Sequence, residues 1–235
     1  MASGDSKLIQ EIDDLDTALK YKECYEKLNP PSGDYQDLSC ELLWRFARAC
    51  RWRILTEGVS DKKLKASLIK EGLAASKYAV EKYPKSANCN TWYGIFLDLE
   101  GQQEGTKKRI ENAYKVKEYF QKAVELNEND YATLHALGIW CYTVASLGKI
   151  ERVFARAFFS APPTSSYEEA LSYFLKAENV KPMVLANNVC RIAQCYAKIG
   201  QGDKAKEYAA KVLEFAGTDE ETNEAKKEAQ YILNH

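Results

Sequence analysis

The stretch Leu134-x-x-Leu137-Gly138-x-x-Cys141, followed by Ala170-x-x-x-Phe174-x-x-Ala177 and Pro182, decides the fold. Apolar residues at three- and four-residue spacing make both halves amphipathic helices. A glycine in the first half and small residues in the second let two helices touch, and proline stops the second one. The two halves describe one antiparallel helix pair. Gly138 and Ala170 nevertheless lie further apart than a tight pair requires, so a segment is inserted between its helices.

The spacing is that of a tetratricopeptide repeat, and the separation exceeds the roughly 34-residue period by about twenty residues. The same first-helix pattern recurs at Leu43-x-x-Phe46-Ala47-x-x-Cys50, Asn90-x-x-Tyr93-Gly94-x-x-Leu97 and Val189-x-x-Ile192-Ala193-x-x-Tyr196. Second-helix patterns follow at Ala75 and Ala79, at Val116-x-x-x-Phe120-x-x-Ala123, and at Ala205-x-x-x-Ala209. Strand alternation and hairpin dipeptides are missing. The predicted fold is all-α, a right-handed tetratricopeptide-like superhelix of antiparallel helix pairs forming a single α-solenoid domain over residues 1–235. Its parts are an opening helix at 5–28, repeats at 39–84, 87–129, 130–182 and 186–216, and a closing helix at 218–234. In the second repeat the halves are about ten residues too far apart, which lengthens the second helix at its start. In the third, residues 149–159 place Ile150, Val153, Phe154, Ala157 and Phe158 on one face and read as an added helix. Ser39, Ser166 and Thr218 are the expected N-caps, the last two as Ser166-x-x-Glu169 and Thr218-x-x-Glu221 capping boxes.

Whole-chain properties narrow the function. The 235 residues carry a formal charge of −1, which argues against a dedicated nucleic-acid binder. No window approaches the eighteen or so apolar residues of a transmembrane helix, and the start has no basic-then-apolar leader, so a cytosolic chain is expected. Seven cysteines are scattered through apolar helical positions without a C-x-x-C pair, which favours reduced, buried thiols. The two histidines, His135 and His235, join no metal or nucleophile pattern, and no phosphate loop appears. The chain is expected to be no enzyme and to need no metal or cofactor.

Binding is the better prospect, because stacked helix pairs line a concave wall with their first helices. Outward positions on that wall are Trp44, Arg48 and Arg51; Asn88, Thr91 and Ile95; His135, Ile139 and Tyr142; Asn187, Cys190 and Gln194. Guanidinium, aromatic and amide groups together suit an anionic headgroup or a carboxylate beside an apolar segment. Two readings stand for the first set: a ligand site, or Arg48 and Arg51 paired with nearby acids while Trp44 packs under the opening helix. The Lys and Asn carboxylate clamp of chaperone-binding repeats is not reproduced. Positive charge also clusters elsewhere. Trp44 to Lys70 holds eight basic residues against Glu57 and Asp61, a local balance of +6. Lys107, Lys108 and Arg109 form a second cluster, and Lys149, Arg152 and Arg156 a third. Such faces attract acidic partners such as tubulin tails or anionic lipid.

Several segments together resemble the regulator of microtubule dynamics family. They are Glu41-Leu42-Leu43-Trp44-Arg45-Phe46-Ala47-Arg48-Ala49, Thr91-Trp92-Tyr93-Gly94-Ile95, Lys108-Arg109-Ile110-Glu111-Asn112-Ala113-Tyr114, Gly138-Ile139-Trp140-Cys141-Tyr142 and Ala161-Pro162-Pro163-Thr164-Ser165-Ser166-Tyr167-Glu168-Glu169-Ala170-Leu171. The resemblance runs from about Leu38 to Gly202 and includes the inserted segments. It implies a helical, non-enzymatic protein of the cytoplasm that associates with spindle microtubules and poles and aids chromosome segregation. One branch of that family is anchored to membranes and binds or moves phospholipids between organelles; its N-terminal membrane segment has no counterpart in this sequence. Where the family tends to have His-Lys before the tryptophan, Asn90-Thr91 stand here. The leading expectation is a scaffold that meets microtubules through basic faces and a second partner in its groove. The alternatives are a phospholipid module using Arg48 and Arg51, and an adaptor for a peptide of another protein.

Overall fold

A computed structural model describes residues 3–30, 33–58, 60–148, 153, 163–217 and 219–235. Its eleven helices are α1 (Ser3–Thr17), α2 (Tyr21–Leu28), α3 (Cys40–Thr56), α4 (Lys62–Lys82), α5 (Ala87–Glu104), α6 (Thr106–Leu126), α7 (Tyr131–Ala145), α8 (Tyr167–Val180), α9 (Ala186–Lys198), α10 (Gly202–Leu213) and α11 (Glu220–Asn234). No strand occurs among the described residues. The helices form two compact units, residues 1–126 and 127–235. In the first, α3 packs with α4 and α5 with α6, while α1 and α2 lie on α3. In the second, α7 packs with α8 and α9 with α10, and α11 closes against α9 and α10.

Size matching across each pair explains why the repeat motif folds as it does. A Cβ added at Gly94 would lie 2.6 Å from the Phe120 ring, and one at Gly138 would lie 2.6 Å from the Phe174 ring. Glycine therefore stands where a phenylalanine faces it. Where the first helix carries alanine instead, at Ala47 and Ala193, the corresponding second-helix positions hold Ser76 and Ala209, both fully buried. Each crossing thus has a small residue on at least one helix, with Phe set against Gly in two pairs and Ala set against Ser or Ala in the other two. Ala79, Ala123 and Ala177, one turn further on, are likewise buried.

Four details differ from the sequence reading. The opening segment is two helices, because Leu19 turns to φ +59° and ends α1. The Leu19 N–H donates to the Asp16 carbonyl at 3.0 Å, and the Lys20 N–H to that of Leu15 at 2.9 Å. That is the hydrogen-bond pattern in which glycine usually supplies the left-handed residue. The extension of the second pair is shared by both helices: Gln102 to Glu104 continue α5, and Gly105 alone, at φ +100°, reverses the chain into α6. The closing helix is capped by Asp219, whose carboxylate accepts from the Thr222 N–H at 2.9 Å; Thr218 lies outside the described residues. Ser39 occupies the N-cap of α3, but its hydroxyl makes no capping bond. Ser166 does cap α8, accepting from the Glu169 N–H at 3.1 Å. The added helix at 149–159 falls outside the described residues except for Val153.

Candidate functional site

The candidate wall residues fall into one set on the first unit and another on the second. On α3, Trp44 is 9% exposed and its indole N–H donates to Glu41 at 3.0 Å. The Arg45 and Arg48 guanidinium groups stand 4.1 and 5.0 Å from its ring centre. Neither guanidinium is at liberty. Arg45 grips Asp13 of α1 with two hydrogen bonds, at 2.9 and 2.7 Å, and Glu41 with a third at 2.7 Å. Arg48 donates to Asp13 at 2.9 Å and has Asp16 at 3.4 Å. Burial pushes the Asp13 carboxyl upward, but the bonds from Arg45 and Arg48 outweigh it and hold the group below its usual range. Burial dominates at Asp16, whose carboxyl is raised. Arg48 is thus paired with acids of the opening helix, whereas Trp44 packs in an apolar cluster with Leu43, Ala79, Cys89 and Trp92. Arg51 is half-buried. On α5, Asn88 is half-buried, and Thr91 is buried with its hydroxyl donating to the Ala87 carbonyl at 3.1 Å.

In the second unit, His135 and Tyr142 of α7 point toward α9 and contact its side chains. His135 Nδ1 lies 3.0 Å from Asn188 Oδ1. The Asn188 amide nitrogen donates to the Phe174 carbonyl and to Glu178, so its oxygen must accept and Nδ1 of His135 carries the proton. Burial lowers the His135 pKa, which keeps the ring neutral. Tyr142 lies under the Arg191 guanidinium at 5.0 Å. These two positions therefore join neighbouring first helices rather than facing outward. Asn187 and Gln194 do line a cleft, between α9 and α11, of about 470 Å³. Its far wall is Glu221, Glu224 and Glu228 with Lys227. Asn187 donates to Glu221 and Gln194 to Glu228, each at 3.2 Å. The cleft is acidic on balance, unlike the anion-seeking groove expected from sequence.

The basic clusters separate in the same way. Lys107 approaches Glu111 at 4.0 Å, Lys108 approaches Glu100 at 3.5 Å, and Arg109 approaches Asp98 at 3.5 Å. Lys149, Arg152 and Arg156 lie outside the described residues. Within the +6 segment, Arg45 and Arg48 are paired as above, and Arg53 with Glu57 at 2.8 Å. Besides the half-buried Arg51, the rest of the charge is on α4: Lys62, Lys63, Lys65 and Lys70 are exposed and have no carboxylate partner among the described residues. Three of the four occupy its first turns, where the helix macrodipole disfavours positive charge, and the carboxylate at that end, the N-cap Asp61, accepts from the Lys63 and Leu64 backbone N–H groups. Charge counting found this segment, but it assigned the arginines and lysines equal standing. Asp13 and Asp16 of α1 divide them, pairing with the arginines of α3 and not with the lysines of α4.

The family described as "Regulator of microtubule dynamics protein 1-3" matches residues 8–235. This chain belongs to that family. Regulator of microtubule dynamics protein 1 of Bos taurus is 39% identical over 209 residues, which are 88% of this chain and 66% of the relative. The Homo sapiens protein of the same name is 38% identical over 190 residues, 81% of this chain and 60% of the relative. Regulator of microtubule dynamics protein 2 of Bos taurus is 31% identical over 227 residues, 96% of this chain and 54% of the relative. The chain thus spans between about half and two thirds of these longer family members. Among solved structures, TTC0263, a thermophilic TPR protein of Thermus thermophilus, superposes with a TM-score of 0.63 over 98% of this chain and 99% of that one. At 14% identity it establishes the tetratricopeptide-type fold of this family member and nothing further. No described helix is long and apolar enough to cross a membrane, and no described cluster of His, Cys, Asp or Glu is arranged to hold a metal ion.

Proposed function

We propose that this member of the regulator of microtubule dynamics family is a non-enzymatic scaffold. In this reading it meets the acidic tails of tubulin through the lysine face of α4 and acts at the spindle in chromosome segregation. The observation that carries the proposal is the set Lys62, Lys63, Lys65 and Lys70, exposed and concentrated where a helix gains nothing from positive charge. An acidic, extended polymer tail is a suitable partner, since several weak contacts to a mobile chain add through proximity and weaken with salt. The family name supports the same direction. The α9/α11 cleft, with amide groups and Arg191 on one wall and three glutamates and Lys227 on the other, supports a second partner that is a protein segment bearing amide or basic side chains. An anionic phospholipid at Arg48 is the weaker reading, because the headgroup would have to displace Asp13 and Asp16.

Co-sedimentation with taxol-stabilised microtubules tests the proposal. The variant K62E/K63E/K65E/K70E is expected to stay in the supernatant where the unaltered protein pellets, with an unchanged helical circular dichroism spectrum. Equal pelleting of the two proteins would refute contact through α4.

A further inference from the structure

Two cysteines that no functional reading uses lie against each other in the first unit. Cys40 is the first residue of α3, and Cys89 is in the first turn of α5. Their sulfur atoms are 3.6 Å apart, which is van der Waals contact between two free thiols. The pair sits in an apolar cluster with Leu43, Trp44, Ala79 and Trp92. Their exposure differs. Cys40 is half-buried, whereas Cys89 is fully buried. The other five cysteines are all buried.

We propose that Cys40 and Cys89 form a peroxide-responsive disulfide site that joins the first helices of two successive repeats. A small oxidant reaches Cys40 first, because it is the more exposed of the two residues. The Cys40 thiolate attacks the O–O bond of hydrogen peroxide, forming an S–O bond and releasing hydroxide, which takes up a proton and leaves as water. Cys89 sulfur then attacks Cys40 sulfur, forming the S–S bond and breaking the S–O bond. The Cys89 proton leaves with the departing hydroxide as a second water. Two thiols are oxidised by two electrons, and one peroxide is reduced to two waters. Burial pushes the Cys89 thiol up to about 12, which fits its role as the second sulfur rather than the one that meets peroxide. The bond closes a span of 49 residues that includes the whole of α4. It would hold the first turns of α3 and α5 together and leave the lysine face of α4 uncovered, so the site is independent of the microtubule reading.

Tryptic mapping of the full chain reads the outcome directly. Cleavage releases residues 28–45 and residues 86–107, each with a single cysteine. After treatment with stoichiometric hydrogen peroxide, alkylation and denaturation, these peptides are expected as one species, about 2 Da lighter than their sum and separated by dithiothreitol. C40S is expected to lose the product and to leave Cys89 fully alkylatable. C89S is expected to leave a sulfenic acid at Cys40 that dimedone captures. Recovery of Cys89 as a free thiol in the oxidised wild-type protein, or linkage of either cysteine to a different one, would overturn the proposal. The wild-type map stands even if either serine variant fails to fold.

Discussion

Replacing Gly138 by alanine adds one methyl group at the tightest point of the α7/α8 pair. That Cβ would meet three carbons of the Phe174 ring at 2.6, 2.7 and 3.1 Å. Carbon atoms in good contact are about 3.5–4.0 Å apart, so ring and helix must separate by about 1 Å. The ring has little room to yield, being fully buried with the His135 ring 5.6 Å away. Overpacking of this kind costs about 1–3 kcal/mol, and alanine returns about 1 kcal/mol of helix propensity, leaving a net loss of up to about 2 kcal/mol. Phe174→Ala alone creates a cavity and costs about 3–5 kcal/mol. In the double variant the added methyl enters vacated space, as at the natural Ala193 and Ala209 positions. The two changes are therefore expected to be sub-additive by about 2 kcal/mol. Urea denaturation of the four proteins measures the cycle. Additivity within about 0.5 kcal/mol, or a Gly138→Ala protein more stable than the parent, would refute size matching as the rule of this fold.

Two further outcomes follow from the opening helices. Asp13→Asn removes the charge that Arg45 and Arg48 share and is expected to cost about 1–2 kcal/mol at neutral pH. Because the folded Asp13 carboxyl lies below its ordinary 3.8, its contribution is present above that value and is lost as pH falls through the folded one. Urea midpoints should therefore show a flatter acid limb below about pH 4 in the variant; an identical limb would remove Asp13 from the account. Leu19→Gly relieves a left-handed leucine that is 70% exposed and so loses little packing. Thermal or urea unfolding should show a gain of about 1 kcal/mol, and a loss would mean the leucine side chain packs in a way its exposure does not suggest.

The repeat pairs were legible because their signal is local: Gly138 and Phe174 declare a close crossing by residue type and spacing alone. The same holds for Gly94 and Phe120. The break at Leu19 was not legible, since the left-handed turn lacks the glycine that marks such turns at Gly200. The shared extension of α5 and α6 was misplaced for a related reason. Gln102, Gln103 and Glu104 are polar enough to pass for a loop, yet they are solvent-facing helix ahead of a one-residue turn at Gly105. The candidate site was readable as charge but not as pairing. Arg48 and Lys63 count equally in a sum, whereas Asp13, thirty-five residues before Arg48, neutralises only the former. Likewise His135 and Tyr142 occupy outward repeat positions by register, and only the side chains of Asn188 and Arg191 reveal that a neighbouring helix has taken them up.

The contact assigned to α4 is tested most directly by measuring affinity for intact microtubules and for microtubules whose acidic tubulin tails have been removed by limited proteolysis. With tails present, binding should weaken steadily as salt rises; without them, affinity at low salt should fall by about tenfold or more. Equal affinity for the two polymers, with the same response to salt, would contradict recognition of the tails by Lys62, Lys63, Lys65 and Lys70.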